Sequence, residues 1–244
     1  MITSKENVSY KKWLKLAQKK YRQKEGLFLI EGQHLVQEAL KANAIVEVLL
    51  CEGVQFEIDA PVTYLSKSLF DQLSLTVTSA GIMAVCVMGV CSIENEKRLL
   101  LVDGVQDPGN LGTLIRSALA FGFDGMILSV NTVDVYNEKV IRSTQGAIFK
   151  LPIIRGDLAH FMADLQKADV KVYAAALNDK AVPMEEIKRA PAMAFIVGNE
   201  GAGVDTALIE ASCGSVVIQM SEEVESLNVG VAGSILMQHF NGLS

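Results

Sequence analysis

The chain has 244 residues, half of them apolar and a fifth charged, which is typical of a well-packed globular protein and enough for two modest domains. No apolar run reaches the ~20 residues of a membrane-spanning helix, and the first residues contain no signal-peptide core, so we expect a cytoplasmic protein with no membrane partner. The four cysteines lack the spacing of a zinc site, and we expect no metal.

Charge is unevenly distributed along the chain, whose net charge is −6. Residues 1–25 carry eight Lys or Arg against two Glu, a net of +6, so the rest of the chain carries −12. A basic segment on an acidic body is typical of local contact with a polyanion, although a solvated helix face gives the same pattern. The candidate contacts are Lys11, Lys12, Lys19, Lys20, Arg22 and Lys24.

Hydrophobic periodicity predicts a compact α/β unit in the first ninety residues. Helices are expected at 9–22, 33–42 and 67–73, and strands at 27–30, 45–51, 62–65 and 82–88. A short polar stretch at 92–97 predicts a linker. We therefore expect one domain at 1–93 and a second at 98–244.

The second domain is predicted as a strand–helix alternation. Strands are expected at 98–102, 125–128, 149–154, 170–176, 192–197 and 216–218. Helices are expected at 111–121, 137–143, 158–168, 184–189, 204–211 and 229–240. This order predicts an α/β fold with a largely parallel sheet covered on both faces. Ligands of such sheets bind beyond the carboxyl ends of the strands.

The first of three candidate loops follows the strand at 98–102. Gly109 and Gly112 permit a tight turn there, and Asn110 is a good residue to cap the next helix. Arg116 lies one to two helical turns further, so both polar side chains could face one cavity. The alternative is a capped helix with a surface arginine.

The second loop, from Gly198 to Gly203, has the spacing G-x-x-G-x-G, which matches neither a P-loop nor the dinucleotide fingerprint. Its Glu200 would repel a phosphate, so the loop suits a ligand approached closely by backbone. The third loop places Ser226 and Asn228 at the start of the last helix, as caps or as ligand contacts. No conventional catalytic motif competes with these loops.

Together the three loops resemble the motifs of the SpoU (TrmH) family of RNA ribose 2′-O-methyltransferases, within the SPOUT superfamily. The resemblance rests on DPGNLG through Arg116 at 107–116, IVGNEGAG at 196–203, and IQM through ESLNV at 218–229, and extends to RSTQGA at 142–147 and EGLFLIEG at 25–32. Two residues depart from the pattern. Gln219 stands where the family usually has proline, and Gly230 where serine is common.

The resemblance implies a small N-terminal domain of the ribosomal-protein L30e type that captures RNA, here through the six basic residues named above. It also implies a catalytic domain that ends in a deep trefoil knot, an exception to the usual absence of threading, and a homodimer with the active site near its interface. S-adenosylmethionine would be the methyl donor, without a metal. The implied cofactor contacts are Leu177, Gly198, Asn199, Gly203, Ile218, Met220 and Leu227.

Catalytic roles are implied for Asn110, Arg116, Glu200, Ser226 and Asn228. Because a guanidinium keeps its proton at neutral pH, we expect Arg116 to bind the target phosphate and polarise the ribose hydroxyl. The expected function is methyl transfer to a ribose 2′-hydroxyl of RNA, with rRNA as the expected substrate. The alternatives are a tRNA methyltransferase, a non-catalytic RNA-binding protein of the same fold, and another nucleotide-using α/β enzyme such as a dehydrogenase.

Overall fold

The structure is a computed structural model that describes residues 1–76, 79–89, 92–93, 97–221 and 223–243. Contacts divide the chain into a first unit, Met1–Val90 with Tyr136–Phe149, and a second unit, Cys91–Val135 with Lys150–Ser244. Half of the predicted linker, residues 94–96, lies outside the described residues. The functional domain boundaries at 93 and 98 therefore stay a prediction.

Helices and strands alternate along most of the chain. The helices are α1 (Val8–Lys15), α2 (Lys19–Glu25), α3 (Gln33–Lys41), α4 (Lys67–Leu73), α5 (Pro108–Ala120), α6 (Glu138–Thr144), α7 (Leu158–Lys167), α8 (Thr206–Ala211) and α9 (Val229–His239). The strands are β1 (Leu27–Glu31), β2 (Ile45–Cys51), β3 (Val62–Leu65), β4 (Ile82–Val87), β5 (Arg98–Val102), β6 (Gly125–Ser129), β7 (Ile153–Gly156), β8 (Lys171–Ala175), β9 (Val182–Pro183), β10 (Met193–Val197) and β11 (Gly214–Val217). Among the helices of the described ranges, none combines the length and the apolarity needed to cross a bilayer.

The first unit is built on a four-stranded mixed sheet in the order β1-β4-β2-β3. β4 runs antiparallel to both β1 and β2, and β3 is parallel to β2. One apolar cluster contains Tyr10 and Trp13 of α1, and another contains Val36 of α3. Helices therefore cover a sheet in which β1 and β4 are mostly buried.

The prediction of one helix at 9–22 is wrong, because the chain breaks between α1 and α2. Arg22 is only 8% exposed, and its Nη1 donates hydrogen bonds to the carbonyls of Leu16 (2.8 Å) and Ala17 (2.9 Å). A cation bound to the carbonyls that end a helix stabilises that end. The predicted role of Arg22 as a surface contact for a polyanion is therefore also corrected, since its charge is used inside the protein.

Helix α6 packs in the first unit although it lies far along the sequence. Ile141 belongs to the apolar cluster that contains Phe28 of β1, and the rings of Phe28 and Tyr136 lie 4.7 Å apart, centre to centre. Because such long-range packing leaves no local pattern, periodicity placed this helix with the second sheet.

The second unit contains a seven-stranded sheet in the order β7-β6-β5-β10-β8-β11-β9, and every pairing in it is parallel. The predicted parallel α/β fold is confirmed. Helices α7 and α8 pack with strand residues in one cluster. On α9's side of the sheet, the ring of Phe240 stacks on Phe195 of β10 at 4.6 Å.

Two predicted elements of this unit are wrong. Residues 184–189 do not form a helix, because β9 pairs with β11 and only Met184–Glu186 makes a 3₁₀ turn before extended backbone. The strand expected at 149–154 begins only at Ile153, after a second 3₁₀ turn at Ala147–Phe149. Pro152 separates that turn from the strand, as a residue without an N–H commonly does.

Candidate active site

Parallel pairing brings the three candidate loops to one edge of the second sheet. The first loop leaves the carboxyl end of β5 and enters α5, and the second leaves its neighbour β10. The third leaves β11 and enters α9. Their side chains therefore meet at the edge where ligands of parallel sheets bind.

Three of the five predicted catalytic residues form one hydrogen-bonded chain. Asn228 Nδ2 donates to Asn110 Oδ1 at 2.8 Å, and Asn110 Nδ2 donates to Glu200 Oε1 at 3.0 Å. The carboxylate also accepts hydrogen bonds from the backbone amides of Gln106 (3.2 Å) and Asp107 (3.1 Å). Glu200 thus ties the second loop to the first, and Asn110 ties both to the third.

Of the two helices that start at this network, α9 is capped by the expected residue and α5 is not. Helix α5 starts at Pro108, and its cap is Asp107, whose Oδ1 accepts from the amide of Asn110 at 2.8 Å. The prediction that Asn110 caps α5 is wrong, and this leaves its side chain for the network. Asn228 caps α9 as expected, since its Oδ1 accepts from the amides of Gly230 and Val231.

Opposing effects act on the ionisation of Glu200. Burial by itself raises the pKa of this carboxyl, but hydrogen bonds from Asn110 and from the backbone amides of Glu200, Asp107 and Gln106 together lower it below its usual range. The group is therefore a carboxylate at neutral pH. A fixed negative charge at this position holds amide donors in place and repels a phosphate.

Arg116 and Ser226 lie outside the hydrogen-bonded chain. Arg116 is exposed on α5, and no other described residue pairs with its guanidinium. Its neighbour Ser117 bonds through Oγ to Ser234 Oγ of α9 at 2.8 Å, so the helix that carries Arg116 is held against α9. The arginine is thus a charged group on a fixed helix, available to a ligand.

A mostly apolar cavity of about 140 Å³ lies beyond the ends of β8 and β11. Its walls include five predicted site residues, which are Leu177, Ile218, Met220, Ser226 and Leu227. Leu177 is 78% exposed and Met220 37% exposed, so apolar side chains stand in water at its mouth. Walls of this kind suit the flat faces of an aromatic ring such as adenine.

Sequence reasoning missed the small residues that make room in this cavity. Ala175 and Ala176 at the end of β8, and Ala232 on α9, line it together with Leu236. The only signal for them was a run of alanines at the carboxyl end of a predicted strand. Such a signal is weak, because alanine is common in every buried strand.

Three residues predicted to bind the cofactor do not line this cavity, namely Gly198, Asn199 and Gly203. Gly198 has a packing role instead, because a Cβ placed on it would lie 2.1 Å from the backbone carbon of Gly203. The loop folds back on itself here, with the amide of Asn199 bonded to the carbonyl of Gly203 and the reverse. Whether their backbone also contacts a cofactor stays a prediction.

The departure at Gly230 lies where α9 packs against α5. Gly230 is buried, and a Cβ on it would lie 3.4 Å from Thr113 and 3.1 Å from Asn228 Oδ1. The contact with Thr113 would have an ordinary van der Waals length, so the approach of α9 to α5 does not require a glycine here. Gln219, the other departure, is not among the residues that line the cavity.

Sequence comparison identifies both parts of the chain. Residues 97–238 match the SpoU rRNA Methylase family, and residues 7–84 match the MRM3-like substrate binding domain. The chain is 42% identical over 246 residues to the 23S rRNA (guanosine(2553)-2′-O)-methyltransferase RlmP of Bacillus subtilis (strain 168), covering 99% of each protein.

Two solved structures have the same fold over nearly their whole length. One is the AdoMet-bound rRNA methyltransferase from Sinorhizobium meliloti, at 25% identity and a TM-score of 0.85, with 98% of this chain and 95% of that one covered. The other is a putative RNA methyltransferase of the TrmH family from Porphyromonas gingivalis, at 29% identity and a TM-score of 0.84, with 96% and 98% covered. With a family match over more than half its length and a full-length relative at 42% identity, this chain belongs to the SpoU rRNA methylase family.

Proposed function

We propose that this SpoU-family RNA 2′-O-methyltransferase transfers a methyl group from S-adenosylmethionine to the ribose 2′-hydroxyl of a guanosine in 23S rRNA. The observation that carries the choice of substrate is the full-length identity of 42% to a 23S rRNA guanosine 2′-O-methyltransferase. The polar network of Asn110, Glu200 and Asn228 beside an apolar cavity supports a reaction in which a hydroxyl must be oriented.

The cavity beyond β8 and β11 fits the adenosine part of S-adenosylmethionine. Its alanine and valine walls would enclose the base, and Leu177 and Met220 would close over it. The cofactor supplies a methyl group that its sulfonium already makes electrophilic, so the protein's task is to prepare the nucleophile. No cluster of three or more potential metal ligands occurs among the described residues.

The polar residues would orient the ribose and neutralise its phosphate. Arg116 would bind the phosphate of the target nucleotide with its planar donors and polarise the 2′-hydroxyl, which scarcely ionises in water. Ser226, on the cavity wall, would contact the hydroxyl or the cofactor's methionine end. Asn110 and Asn228 would orient the ribose relative to Arg116 and Ser226, since each asparagine side chain is fixed by its own hydrogen bonds.

RNA capture is proposed for the basic surface of the first unit. Lys19, Lys20 and Lys24 of α2 are exposed and have no ion pair within the described ranges, whereas Lys12 pairs with Glu25 and Lys11 with Glu6. Lys20 also lies over the ring of Tyr21, with Nζ 4.8 Å from its centroid. Lysines beside an aromatic ring suit both the phosphates and the bases of an RNA.

Three further features belong to this proposal. We propose an L30e type for the first unit, supported by its mixed α/β sheet, and a trefoil knot at the end of the second, supported by α9 packing against α5 rather than beyond the edge strand. We also propose a homodimer that buries α9, where Val231 is 46% exposed. A ribosomal substrate would place a bacterial enzyme in the cytoplasm.

The proposal is tested by transfer of labelled methyl from S-adenosylmethionine to purified 23S rRNA, 16S rRNA and tRNA, followed by mapping of the 2′-O-methylated nucleotide. We expect one guanosine of 23S rRNA to be labelled. Labelling of tRNA alone would establish the alternative substrate, and no labelling of any RNA in a protein that binds both RNA and cofactor would favour a non-catalytic role.

A further inference from the structure

A second cavity, of about 520 Å³, lies at the same edge of the second sheet, beyond the ends of β5, β6 and β10. Its volume is within the range of small-molecule sites. Polar side chains dominate its lining, namely Asp103, Gln106, Asn131, Asn199, Asp205 and Thr206, and we call it the polar cleft. None of the five predicted catalytic residues lines it.

The polar cleft presents fixed hydrogen-bond acceptors. Asp103 Oδ2 accepts from the amide of Asp205 at 2.9 Å, and Asp205 Oδ1 accepts from the amide of Ala207 at 2.8 Å. The second oxygen of each carboxylate has no partner in the described part of the chain. Because the first oxygen holds each side chain in place, the second is an acceptor in a set position.

Hydrogen bonds also fix the other walls of the polar cleft. Gln106 Nε2 donates to the carbonyls of Gly104 (3.0 Å) and Asn131 (2.6 Å), which leaves Gln106 Oε1 as a further acceptor. Asn199 Nδ2 donates to Gly104 O at 2.9 Å, and its Oδ1 accepts from the amides of Gly201 and Ala202. The cleft is therefore built before any ligand arrives.

The position of Asn131 depends on Arg155. The guanidinium of Arg155 donates to the carbonyls of Ser129 (2.9 Å), Thr132 (2.6 Å) and Val133 (2.6 Å), and so holds the loop that carries Asn131. The side-chain amide of Asn131 has no hydrogen-bond partner among the residues described. It adds a donor to a cleft that otherwise offers acceptors.

The polar cleft adjoins the methyl-transfer site through Glu200. Gln106 lines the cleft, and its backbone amide donates to Glu200 Oε2, while Glu200 Oε1 begins the chain through Asn110 to Asn228. Asn228 follows directly after Ser226 and Leu227, which line the apolar cavity. Three consecutive hydrogen bonds thus link the loops that line the two cavities.

We infer that the polar cleft binds the guanine base of the nucleotide whose ribose is methylated, with the free Oδ1 of Asp103 accepting a hydrogen bond from N2–H₂. This inference rests on the proposed function and names a specificity-determining residue for it. Guanine presents two adjacent N–H groups on its Watson–Crick edge, which suits a cleft rich in acceptors. Two carboxylates exclude a phosphate from the same place, and Asn131 could donate to the guanine carbonyl.

The test compares guanosine with inosine, which lacks the 2-amino group, at the mapped nucleotide of ligated 23S rRNA. We expect the wild-type protein to prefer guanosine in kcat/KM by about five- to a hundredfold. Asp103→Asn can still accept from the amide of Asp205, so the fold is kept. In this variant the ratio of kcat/KM on guanosine to kcat/KM on inosine should fall to less than about half of the wild-type ratio. Its affinity for the cofactor, measured by calorimetry, should be unchanged.

The matched control is Asp157→Asn, because Asp157 also accepts from a backbone amide, that of Ala159, and lies outside the polar cleft. Its preference should equal that of the wild-type protein. Equal rates on guanosine and inosine in the wild-type protein, or an undiminished preference in Asp103→Asn, would overturn the assignment.

A second measurement does not depend on methyl transfer or on the variant folding. Guanosine titrated into the wild-type protein should shift the side-chain amide resonances of Asn131 and Gln106, and adenosine should leave them in place. Absence of these shifts at millimolar guanosine would reject the assignment even if 23S rRNA is methylated. If the shifts occur but no RNA is methylated, the proposed function fails and the base site stands.

Discussion

Asn228 Nδ2 donates to Asn110 Oδ1 across 2.8 Å, and this bond joins the first turns of α9 and α5. The two residues are 118 positions apart in the chain. The same Asn228 caps α9 through its Oδ1, so one amide side chain has a structural and a positioning role at once. The two roles can be separated by substitution.

Replacing Asn228 by Asp should keep the cap and break the bond to Asn110. A carboxylate at a helix N-terminus is favourable, so thermal stability should stay near the wild-type value, whereas Asn228→Ala should lose about 1 kcal/mol. The introduced carboxylate would face Asn110 Oδ1 without a donor, and we expect methyl transfer to fall in both variants. Full activity in Asn228→Asp, measured with labelled cofactor, would show that the bond to Asn110 is dispensable.

Substitutions of Arg116 test whether this residue prepares the ribose 2′-hydroxyl for attack on the methyl group. Arg116→Ala should keep cofactor affinity within a few fold and lose methyl transfer by at least about a hundredfold, the effect typical of removing a group that assists proton transfer. Arg116→Lys keeps the positive charge but lacks the planar guanidinium, so its rate of methyl transfer should lie between those of the wild type and the alanine variant. Since Arg116 is exposed, neither change should alter the unfolding temperature. Substantial transfer by the alanine variant would end the case for a catalytic arginine.

The hydrogen bonds to Glu200 predict a pH-dependent contribution to stability. Burial alone raises the pKa of this carboxyl, but the hydrogen bonds lower it overall, so the folded state binds the proton less tightly than the unfolded state. The contribution is therefore present above about pH 4.3, the ordinary value for Glu, and is lost as pH falls through the lower folded value. Glu200→Gln should unfold at a lower temperature than the wild type at pH 7, and the difference should shrink below pH 4. A constant difference across this range would contradict the assignment.

Gly198 and Gly201 form a matched pair in one loop. A Cβ on Gly198 would lie 2.1 Å from backbone, whereas one on Gly201 would meet nothing closer than 3.7 Å. We expect Gly198→Ala to destabilise the protein by about 1–3 kcal/mol or more, as overpacking does, and Gly201→Ala to change stability little. Denaturant unfolding of the two variants measures this difference, and equal effects would mean that the loop can move apart at Gly198.

The basic face of α2 is tested by its salt dependence. Replacing Lys19, Lys20 and Lys24 together by Gln should weaken RNA binding. The slope of the logarithm of the RNA association constant against the logarithm of salt concentration should fall in magnitude by about two. Gln at Lys41 and Lys67, which pair with Glu38 and Asp71, provides a control in the same unit that matches in charge the double change of Lys19 and Lys20. If the control weakens binding equally, the effect is one of net charge. Arg22 is excluded from this set, because its removal would damage the α1–α2 junction.

The alternation of strands and helices was predictable because it depends on local periodicity. β2, β3, α4 and β5 begin and end at the predicted residues, since each is a short apolar run or amphipathic turn bounded by polar residues. The break between α1 and α2 was not predictable, because it depends on a guanidinium six residues away. The 184–189 segment failed for a similar reason, since β9 exists only through its pairing with β11.

The candidate site was predictable in its residue types more than in their contacts. Asn110, Glu200 and Asn228 lie close together. This was predictable, because the three loops that carry them were expected at one edge of the parallel sheet. The separate roles of these residues could not be predicted, because α5 starts three residues earlier than expected and is capped by Asp107 rather than Asn110. The polar cleft was missed altogether, since Asp103 and Asn131 follow strands that only the folded sheet places side by side.

The packing of Tyr136–Phe149 in the first unit decides how this protein can be dissected. Cutting the chain once, near the polar stretch at 92–97, would not yield two self-sufficient fragments. The C-terminal fragment would carry Ile141 and Tyr136 without Phe28 and the rest of the cluster that buries them. The N-terminal fragment would in turn expose Phe28. An expression trial of either fragment alone should therefore give aggregation, and an isolated catalytic fragment requires residues 136–149 to be redesigned.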